Sequence, residues 1–452
     1  MEVQLSLEFL RVVEEAAIAA ARTMGQGDRH RADDCLARCF RGKSAAIRDD
    51  LRQSDHRFGN NKRHHRRAVA RRALGKRRIT VAERRGTDNL RQGTNKTRLD
   101  RQRMIIRLRK PRCGPIGIDI GTQSLKLVQL DGARRQIVDI ARHEFNATDP
   151  DERERQLVDA LRRTRETHSF RGRTAVVCLS GDQLFVQNIR VPQATGDELR
   201  RIVSTEAANR AGFGGEEAEV RFVEAGDVRQ GEGFRREVIL LAARKAAVHK
   251  LTQLTEEAGL ETAAVDVEPG ALLRGYLAQF RRDEDQQRRT MIVNVGAGST
   301  KVVIAQGASA LFVKYIDIGG RQMDESVAKH FRVSLAEAAS LRRNSGDRRA
   351  DQRDPEVART LLEAVRPILA RLGNELAMCL RYFSVTFRGQ PVEQIVLGGG
   401  EAGEQLTDWL QPRLDIPCRL SQPLRAFERC PAHGPRAGQW DVAVGLALRE
   451  VN

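Results

Sequence analysis

One short pattern occurs twice in this chain. The segment IGIDIGTQSLKLVQL covers residues 116–130, and IVNVGAGSTKVVIAQ covers residues 292–306, about 175 residues later. Each segment has an apolar strand, a turn that contains glycine, small hydroxylated residues and a second apolar strand. This repetition predicts a fold in which one structural unit is used twice, with the two turns in equivalent places.

The residue types in both turns suit a phosphate ligand. Glycine lets backbone amides approach a phosphate closely, and hydroxyl groups add hydrogen-bond donors. Asp119 ends the first strand, where its carboxylate is placed to hold a hydrated Mg²⁺ ion beside the phosphates. A single turn of this kind is often only a tight turn, so the prediction depends on the pair. The candidates in the first turn are Gly121, Thr122 and Ser124, and those in the second are Asn294, Gly296, Gly298, Ser299 and Thr300.

A third glycine cluster follows an apolar strand near the C-terminus. In VEQIVLGGGEAGEQLTDWLQPRLDIPC, residues 392–418, the strand ends in Gly398, Gly399 and Gly400 and a helix begins. Backbone without side chains leaves room for an adenosine to lie against it. A glycine run alone is usually a plain turn. Beside two phosphate loops, it indicates a nucleotide site built from three loops.

Together these motifs resemble the actin, hexokinase and Hsp70 superfamily, and in detail the type IV pilus assembly protein PilM family and its cell-division relative FtsA. Further matching stretches are RRIVSTEAANRAGF (200–213), LTEEAGLETAAVDVEPGALLR (254–274), FVKYIDIGGRQMDESVAKHF (312–331) and LRYFSV (380–385). The resemblance covers residues 114–452 and implies a duplicated, actin-like (ribonuclease H-like) α/β fold. It also implies ATP and Mg²⁺ as cofactors, held by the three loops.

The pattern of strands and helices predicts four regions. Residues 1–50 contain an amphipathic helix, and residues 51–112 form a basic segment. Residues 113–290 form the first actin-like half (1A), with an insert at about 185–260 where the family has its 1C subdomain. Residues 291–452 form the second half (2A and 2B). Glu206, on the first helix of the insert, matches a recurrent glutamate of the family, although an exposed helical glutamate needs no such role.

The basic segment contains the whole charge excess of the chain. Residues 51–112 have 22 Lys and Arg against 4 Asp and Glu, while the entire chain has a net charge of +18. Because few large apolar side chains are available to offset the ordering entropy, we predict that this Arg-rich extension is disordered. Binding to a polyanion and an origin in a shifted reading frame or an upstream start remain alternatives. Phe58 is its only aromatic residue, so nucleic acid is not an expected partner.

The N-terminus carries a second, weaker resemblance. Residues 1–40 are similar to the opening of class II fructose-1,6-bisphosphatases, in which Asp28 would bind a metal. The acidic motifs that should follow in that family are absent, so no phosphatase site is expected. The seven cysteines are scattered and form no CxxC pair, which argues against a disulfide framework and a zinc site.

Two departures from the family pattern affect the expected chemistry. Relatives have an aspartate where this chain has Asn294, and an amide contributes no charge to hold a metal or orient water. In the AE-x-x-K helix that contacts ribose and adenine, the aligned residues are Ala338, Ala339 and Arg342, unless Glu337 provides an alternative register. We therefore expect a nucleotide-binding scaffold with weak or no ATPase activity.

The resemblance implies a cytoplasmic adaptor of type IV pilus or type II secretion-like assembly. Its partner would be the short cytoplasmic tail of a bitopic, PilN-like membrane protein, docked on the face formed by residues 185–260, and a homo-oligomer is compatible with this role. The chain has no apolar stretch of about 20 residues and no signal peptide, so we expect a cytoplasmic protein that is peripheral to the inner membrane. The alternative is a small-molecule kinase or phosphohydrolase, which would need a catalytic base near Asp119.

Overall fold

The computed structural model describes residues 113–145, 149–347, 354–431, 434 and 436–451. The helix predicted in residues 1–50, Asp28 and the basic segment 51–112 lie outside the described residues. Among the helices that are described, none is long and apolar enough to cross a membrane.

The described chain begins with three antiparallel strands, a helix and a fourth strand. Helix α1 starts at a capped N-terminus, because the Asp149 carboxylate accepts a hydrogen bond from the Glu152 amide at 2.9 Å and Pro150 occupies the first turn. The buried side chains of α1 face the sheet. The elements are β1 (Cys113–Ile120), β2 (Ser124–Asp131), β3 (Ile137–Glu144), α1 (Pro150–Thr167) and β4 (Thr174–Leu179).

A separate three-stranded sheet with two helices follows, and we call these elements the insert. Its strands lie in the order β5-β7-β6 and are antiparallel. The sequence analysis did not identify β5, whose residues LFVQNIRV mix polar and apolar side chains on both faces. The elements are β5 (Leu184–Val191), α2 (Gly196–Ala211), β6 (Ala218–Gln230), β7 (Gly233–Arg244) and α3 (Lys245–Glu257).

The chain then returns to the first sheet. Strand β8 (Glu261–Val267) adds to β4 in parallel, and helices α4 (Glu268–Gln279) and α5 (Asp283–Gln287) follow it. The completed sheet has the order β3-β2-β1-β4-β8. Its central strand, β1, is buried on both faces, which explains its nearly continuous apolar sequence.

The second half repeats this order with its own elements. Its sheet is β11-β10-β9-β12-β13, in which β9 pairs with β10 antiparallel and with β12 parallel. Helix α7 extends to Asp347. The elements are β9 (Arg289–Val295), β10 (Thr300–Gln306), β11 (Ser309–Ile316), α6 (Gly320–Phe331), α7 (Leu335–Asp347), α8 (Pro355–Thr386), β12 (Gln394–Gly398), α9 (Glu404–Leu414), β13 (Cys418–Leu420) and α10 (Asp441–Ala447).

The two sheets share one strand order, which confirms the predicted duplicated α/β architecture. The hairpins also share one register: Asp119 pairs with Lys126 across β1 and β2, and Asn294 pairs with Lys301 across β9 and β10. The offset is 294 − 119 = 175 and 301 − 126 = 175 residues. The repeated sequence pattern therefore corresponds to a repeated structure, residue by residue.

Helix α10 joins the two halves through close backbone contacts. A Cβ at Gly445 would lie 1.8 Å from the Ala271 carbonyl oxygen on α4, and one at Gly117 on β1 would lie 2.4 Å from the Ala443 carbonyl oxygen. Larger residues at either glycine would separate these elements. The last helix of the chain is thus wedged between the first sheet and α4.

Candidate functional site

The three predicted glycine loops lie side by side in the structure. A Cβ at Gly298 would lie 2.8 Å from the Thr122 hydroxyl oxygen, so the tips of the two phosphate loops face each other. The Glu401 amide donates to the Val295 carbonyl oxygen at 3.1 Å, which joins the third loop to the second. Residues far apart in sequence are therefore brought to one place.

In the first loop, residues 121–124, all four carbonyl groups have partners. The Gly121 amide donates to the Ser124 carbonyl at 3.0 Å, and the Phe145 amide donates to the Gln123 carbonyl at 2.9 Å. The Arg153 guanidinium donates to the carbonyls of Gly121 and Thr122, both at 2.7 Å. Within the described residues, the amides of Thr122 and Gln123 donate to no protein acceptor. The loop therefore keeps backbone donors available for an anion.

The second loop, residues 296–299, closes in the same way but is held differently. The Gly296 amide donates to the Ser299 carbonyl at 3.0 Å. Amides at the start of α6 support the loop: Gly320 donates to the Gly296 carbonyl at 3.0 Å, and Arg321 donates to the Ala297 carbonyl at 2.8 Å. Thr300 is fully buried and its hydroxyl donates to the Ile318 carbonyl at 2.7 Å. Thr300 therefore positions this turn and does not present its hydroxyl to the other loop.

The third loop needs glycine at two of its three positions. A Cβ at Gly398 would lie 1.8 Å from Asp441 Oδ2, and one at Gly399 would lie 2.2 Å from the Val295 carbonyl oxygen. Gly399 also has a φ of +90°, which other residues rarely adopt. Gly400 has open space around it. The close approach of backbone to backbone thus explains the first two glycines of the run.

A cavity of about 310 Å³ opens beside the third loop. This volume is at the lower end of the range typical of small-molecule pockets, roughly 300–1,000 Å³. Leucine and valine side chains of α8 form its apolar wall, and charged side chains from α7 and the third loop lie at its edge. The lining includes Leu361, Val365, Arg342, Glu401, Arg436 and Gly438.

Arg342 is the centre of a buried ion network at this cavity. Its Nε lies 2.7 Å from Asp324 Oδ1, and its Nη1 lies 2.5 Å from Glu401 Oε2, while Arg436 lies 3.5 Å from the same oxygen. Glu401, from the third loop, thus places a buried carboxylate beside Arg342. Glu337, the alternative register, instead accepts hydrogen bonds from Ser334 at the start of its own helix.

A cluster of buried charged side chains lies behind the loops. Lys126 Nζ lies 2.9 Å from Asp119 Oδ2, and Lys301 Nζ lies 2.9 Å from Glu268 Oε1 at the start of α4. Burial raises the pKa of the Glu268 carboxyl, while Lys301 opposes this shift. Each lysine therefore has one carboxylate partner. Lys126 pairs with its cross-strand neighbour, whereas Lys301 pairs with a residue of a helix.

Asp441, the first residue of α10, is the third carboxyl of this cluster. Its Oδ1 accepts a hydrogen bond from the Ser421 hydroxyl at 2.5 Å, and its Oδ2 accepts one from the Asn294 amide nitrogen at 3.4 Å. Burial raises the pKa of Asp441 to about 7, although the hydrogen bonds from Ser421 and Asn294 oppose the shift. The Asp441 carboxyl is thus neutral below about pH 7 and charged above it.

Mg²⁺ was predicted to bind at Asp119, and the residues present fit such an ion only in part. One Asp119 oxygen is bound to Lys126, and no group of three or more His, Cys, Asp or Glu side chains in the described ranges could hold a metal ion. Mg²⁺ commonly uses one or two carboxylates together with water and phosphate oxygens. The arrangement therefore suits an ion that is bound mainly through a nucleotide.

A second cavity, of about 570 Å³, lies between the insert and the second half. The Asn188 side chain on β5 spans one side of it: its amide nitrogen donates to the Val313 carbonyl at 2.7 Å, and its oxygen accepts from the Val313 amide at 3.2 Å. Tyr382 donates from its hydroxyl to buried Glu237 of β7 at 2.7 Å. The wall includes Phe185, Phe312, Lys314, Met378 and Tyr382.

Sequence reasoning missed several residues of the site. Arg153 is one of several arginines on α1, and nothing in the sequence distinguishes it from the others. Glu268 follows β8 in the VEPG stretch that matched the family, so a signal existed for it. Asp441 lies far from all three loops in sequence, and only the position of α10 places it beside Gly398. Glu206 forms an exposed pair with Arg210 at 2.7 Å, within its own helix.

Comparison with known proteins identifies the family. The profile of the type IV pilus assembly protein PilM family matches residues 117–451. The chain belongs to the PilM family. A solved structure, a PilM-PilN type IV pilus biogenesis complex, is similar with a TM-score of 0.62 and 26% identity, covering 75% of this chain and 99% of that chain. This PilM family member is therefore a type IV pilus assembly protein with an actin-like fold.

A curated relative comes from cell division. The cell division protein FtsA of Bacillus subtilis (strain 168) is 22% identical over 259 residues, which cover 51% of this chain and 58% of that protein. The match thus spans less than two thirds of FtsA. It agrees with the similarity to FtsA expected from the sequence, and the activities of FtsA are not carried over to this PilM family member.

Proposed function

We propose that this protein binds ATP with Mg²⁺ in its three glycine loops and acts as an adaptor at the cytoplasmic side of the inner membrane. In this role it docks the short cytoplasmic tail of a PilN-like bitopic membrane protein. The observation that carries the nucleotide proposal is the convergence of Thr122, Gly298 and Gly399 from three distant segments. Two loops would hold the phosphates from opposite sides, and the third would receive the adenosine.

The backbone geometry supports phosphate binding in particular. The carbonyls of the first loop are occupied by Arg153, Phe145 and Gly121, while the amides of Thr122 and Gln123 remain available among the described residues. An anion is favoured where amides converge and carbonyls point away. Adenosine would extend toward the 310 Å³ cavity, where Glu401 and Arg342 offer polar groups to a ribose.

Residues around the phosphates favour binding over hydrolysis. When bound, Mg²⁺ would neutralise phosphate charge, with Asp119 as its carboxylate contact. Asn294 occupies the equivalent position of the second loop and donates its amide to Asp441, so it supplies no charge of its own. We therefore propose a scaffold with weak or no ATPase activity. A small-molecule kinase would form a phosphorylated product from ATP with sugars or acetate, and we expect none.

The partner tail is proposed to lie in the 570 Å³ cavity beside β5. The face expected from the sequence was that of residues 185–260, whereas this cavity is also walled by β11 and α8 of the second half. Met378 is 48% exposed, so an apolar contact surface is open to solvent there. The related complex contains PilN by its title, and this likeness supports the same kind of partner here.

Two binding measurements test the proposed function. Isothermal titration of the full-length chain with ATP, with and without Mg²⁺, should show saturable binding that Mg²⁺ strengthens; no binding would contradict the nucleotide proposal.

A labelled peptide of the PilN-like tail should bind the wild type, and Met378→Asp should lower the affinity for the peptide about tenfold or more. Val385→Asp is the matched control, since Val385 is 64% exposed on the same helix outside the cavity. Equal binding by both variants would place the tail elsewhere.

A further inference from the structure

Arg153 contacts the first phosphate loop directly, through the carbonyls of Gly121 and Thr122. We propose that Arg153 is a positioning residue: its guanidinium turns the loop carbonyls away from the ligand so that the loop amides face the phosphates. This proposal rests on the proposed function, because it concerns how the same site recognises the phosphates of ATP. Arg153 acts through the loop backbone and does not itself touch the nucleotide.

The geometry of Arg153 is that of a two-pronged clamp. Nη2 donates to the Gly121 carbonyl and Nη1 donates to the Thr122 carbonyl, each at 2.7 Å. In a trans peptide unit the carbonyl and the following amide point in opposite directions. Because the carbonyls of Gly121 and Thr122 are held on one side, the amides of Thr122 and Gln123 point to the other side. Charge-assisted hydrogen bonds to a rigid planar fork fix this orientation more firmly than a lysine could.

The second loop provides an internal comparison within the same chain. The equivalent carbonyls are those of Gly296 and Ala297, because 121 + 175 = 296 and 122 + 175 = 297. Their donors are the backbone amides of Gly320 and Arg321 at the start of α6, at 3.0 and 2.8 Å. The same two carbonyls are therefore held in both halves, by a side chain in one and by a helix N-terminus in the other.

The start of α1 explains why the first half uses a side chain. Its first residue is Pro150, which has no amide hydrogen, and the Glu152 amide is already bound to the Asp149 carboxylate. The corresponding helix of the second half begins at Gly320, directly at the loop. The long Arg153 side chain thus reaches the loop carbonyls of Gly121 and Thr122, to which no backbone amide of α1 donates.

The surroundings of Arg153 keep its orientation and its charge. The guanidinium lies over the Phe145 ring, 4.9 Å from the centroid, and this contact holds it against β3. Burial lowers the pKa of Arg153, with Asp182 acting in the opposite direction, but a guanidinium stays charged. It forms no ion pair with a described residue, so its positive charge adds to the attraction of the site for phosphate.

This role predicts a loss that depends on the phosphates. Adenosine would contact the third loop, which belongs to the second half, whereas ATP also needs the first loop. Arg153→Ala should therefore weaken ATP and ADP binding about tenfold while adenosine affinity changes less than about twofold. Arg153→Lys, which keeps the charge but loses the fork, should lie between the wild type and Arg153→Ala.

Titration calorimetry of the full-length chain with ATP, ADP and adenosine tests this proposal. The matched control is Arg162→Ala on the same helix, since Arg162 also donates to a backbone carbonyl, that of Glu257 at 2.9 Å, but far from the loop. Arg162→Ala should bind ATP as the wild type does. Adding ethylguanidinium should restore part of the ATP affinity of Arg153→Ala and leave the ATP affinity of Arg162→Ala unchanged. A purely structural role would lower ATP and adenosine binding together.

The outcomes separate this proposal from the function on which it rests. If the wild type binds ATP and Arg153→Ala keeps the same ratio of ATP to adenosine affinity, the positioning role of Arg153 is wrong, while the proposal of a nucleotide site is retained. If Arg153→Ala does not fold, the same ratio in Arg153→Lys decides. If the wild type binds no ATP, the proposed function itself fails.

Discussion

The two phosphate loops have one backbone and two different sets of supporting contacts. Each is closed by an amide-to-carbonyl hydrogen bond of 3.0 Å, from Gly121 to Ser124 and from Gly296 to Ser299. The first loop is then held by the Arg153 side chain, and the second by the N-terminus of α6. The two halves thus share the turn, while different groups orient it in each half.

The charged residues behind the loops differ in the same way. In the first half, Asp119 and Lys126 are cross-strand neighbours and neutralise each other at 2.9 Å. In the second half the equivalent neighbours are Asn294 and Lys301, and because Asn294 is neutral, Lys301 pairs with Glu268 of α4. Changing one residue of a buried pair therefore moves the ion pair to another element, since a buried lysine needs a partner.

This rearrangement leaves the cluster close to electrical balance. Two lysines face Asp119 and Glu268, and Asp441 is the carboxyl without a cation. Its pKa of about 7, raised by burial, means that the cluster is balanced when Asp441 is protonated. A further carboxylate would have no cation available, which is the basis of the first prediction.

Asn294→Asp gives the second half the carboxylate that Asp119 provides in the first, and it should have the largest effect on stability. The new carboxylate would compete with Glu268 for Lys301. It would also lie beside the Asp441 carboxylate, whose Oδ2 is 3.4 Å from the Asn294 amide nitrogen in the wild type. We expect a loss of about 3 kcal/mol in unfolding free energy at pH 8, typical of an uncompensated buried charge. The loss should shrink at pH 5.5, where one carboxyl of the pair is protonated. Urea denaturation at both pH values measures it.

The matched control for that experiment is the double variant Asn294→Asp with Asp441→Asn. It restores the number of carboxyls in the cluster and should recover most of the stability at pH 8. If Asn294→Asp alone is as stable as the wild type at pH 8, the cluster tolerates a further charge and the balance argument fails.

Gly298→Gln gives the second loop the residue that the first loop has at the equivalent position, because 123 + 175 = 298 makes Gln123 the equivalent of Gly298 in the repeat. A side chain at 298 would meet the Thr122 hydroxyl, whose oxygen lies 2.8 Å from the Cβ position, and would keep the loops apart. We expect ATP affinity to fall about tenfold, with little change in melting temperature, since the loop tips can separate. Calorimetry with ATP and adenosine checks it.

Gly233→Gln is the control for Gly298→Gln, because it adds the same side chain where no atom lies within 4 Å, in the insert. Its ATP affinity should equal that of the wild type. Unchanged ATP binding in Gly298→Gln would show that the two loops do not have to meet around one ligand.

The sequence was sufficient for features that depend on local order. Strand periodicity and glycine turns predicted the two hairpins, and the structure has them as β1 with β2 and β9 with β10. The glycines of the third loop were also recognisable, because a strand ending in GGG is a local pattern. The proximity of all three loops followed from the duplication together with the family resemblance.

The sequence was insufficient for contacts that depend on where a whole element lies. Arg153 becomes distinctive only because α1 passes close to the first loop, and Asp441 only because α10 is wedged against β1. Glu401 pairs with Arg342 from another segment, which no reading of α7 alone could show. Strand β5 was missed because its alternation is imperfect, as both faces are partly covered.

Asp441→Asn tests the unpaired carboxyl of the cluster directly. The pKa of Asp441 is raised from 3.8 to about 7, so between these values the folded state binds a proton that the unfolded state has released. Stability contributed by the protonated form is therefore fully present below about pH 4, falls as the pH rises from about 4 to about 7, and stays constant above that. Replacement by the neutral amide removes this loss.

We accordingly expect Asp441→Asn to raise the unfolding free energy by about 2–3 kcal/mol more at pH 8 than at pH 5, because the folded carboxyl holds its extra proton over roughly two pH units of that range. The amide can still accept from Asn294 and pack beside Ser421, so the shape of the site is kept. Urea denaturation between pH 5 and 8 gives the slope. A variant that loses stability equally at both pH values would show that Asp441 acts through its hydrogen bonds and that its charge does not matter.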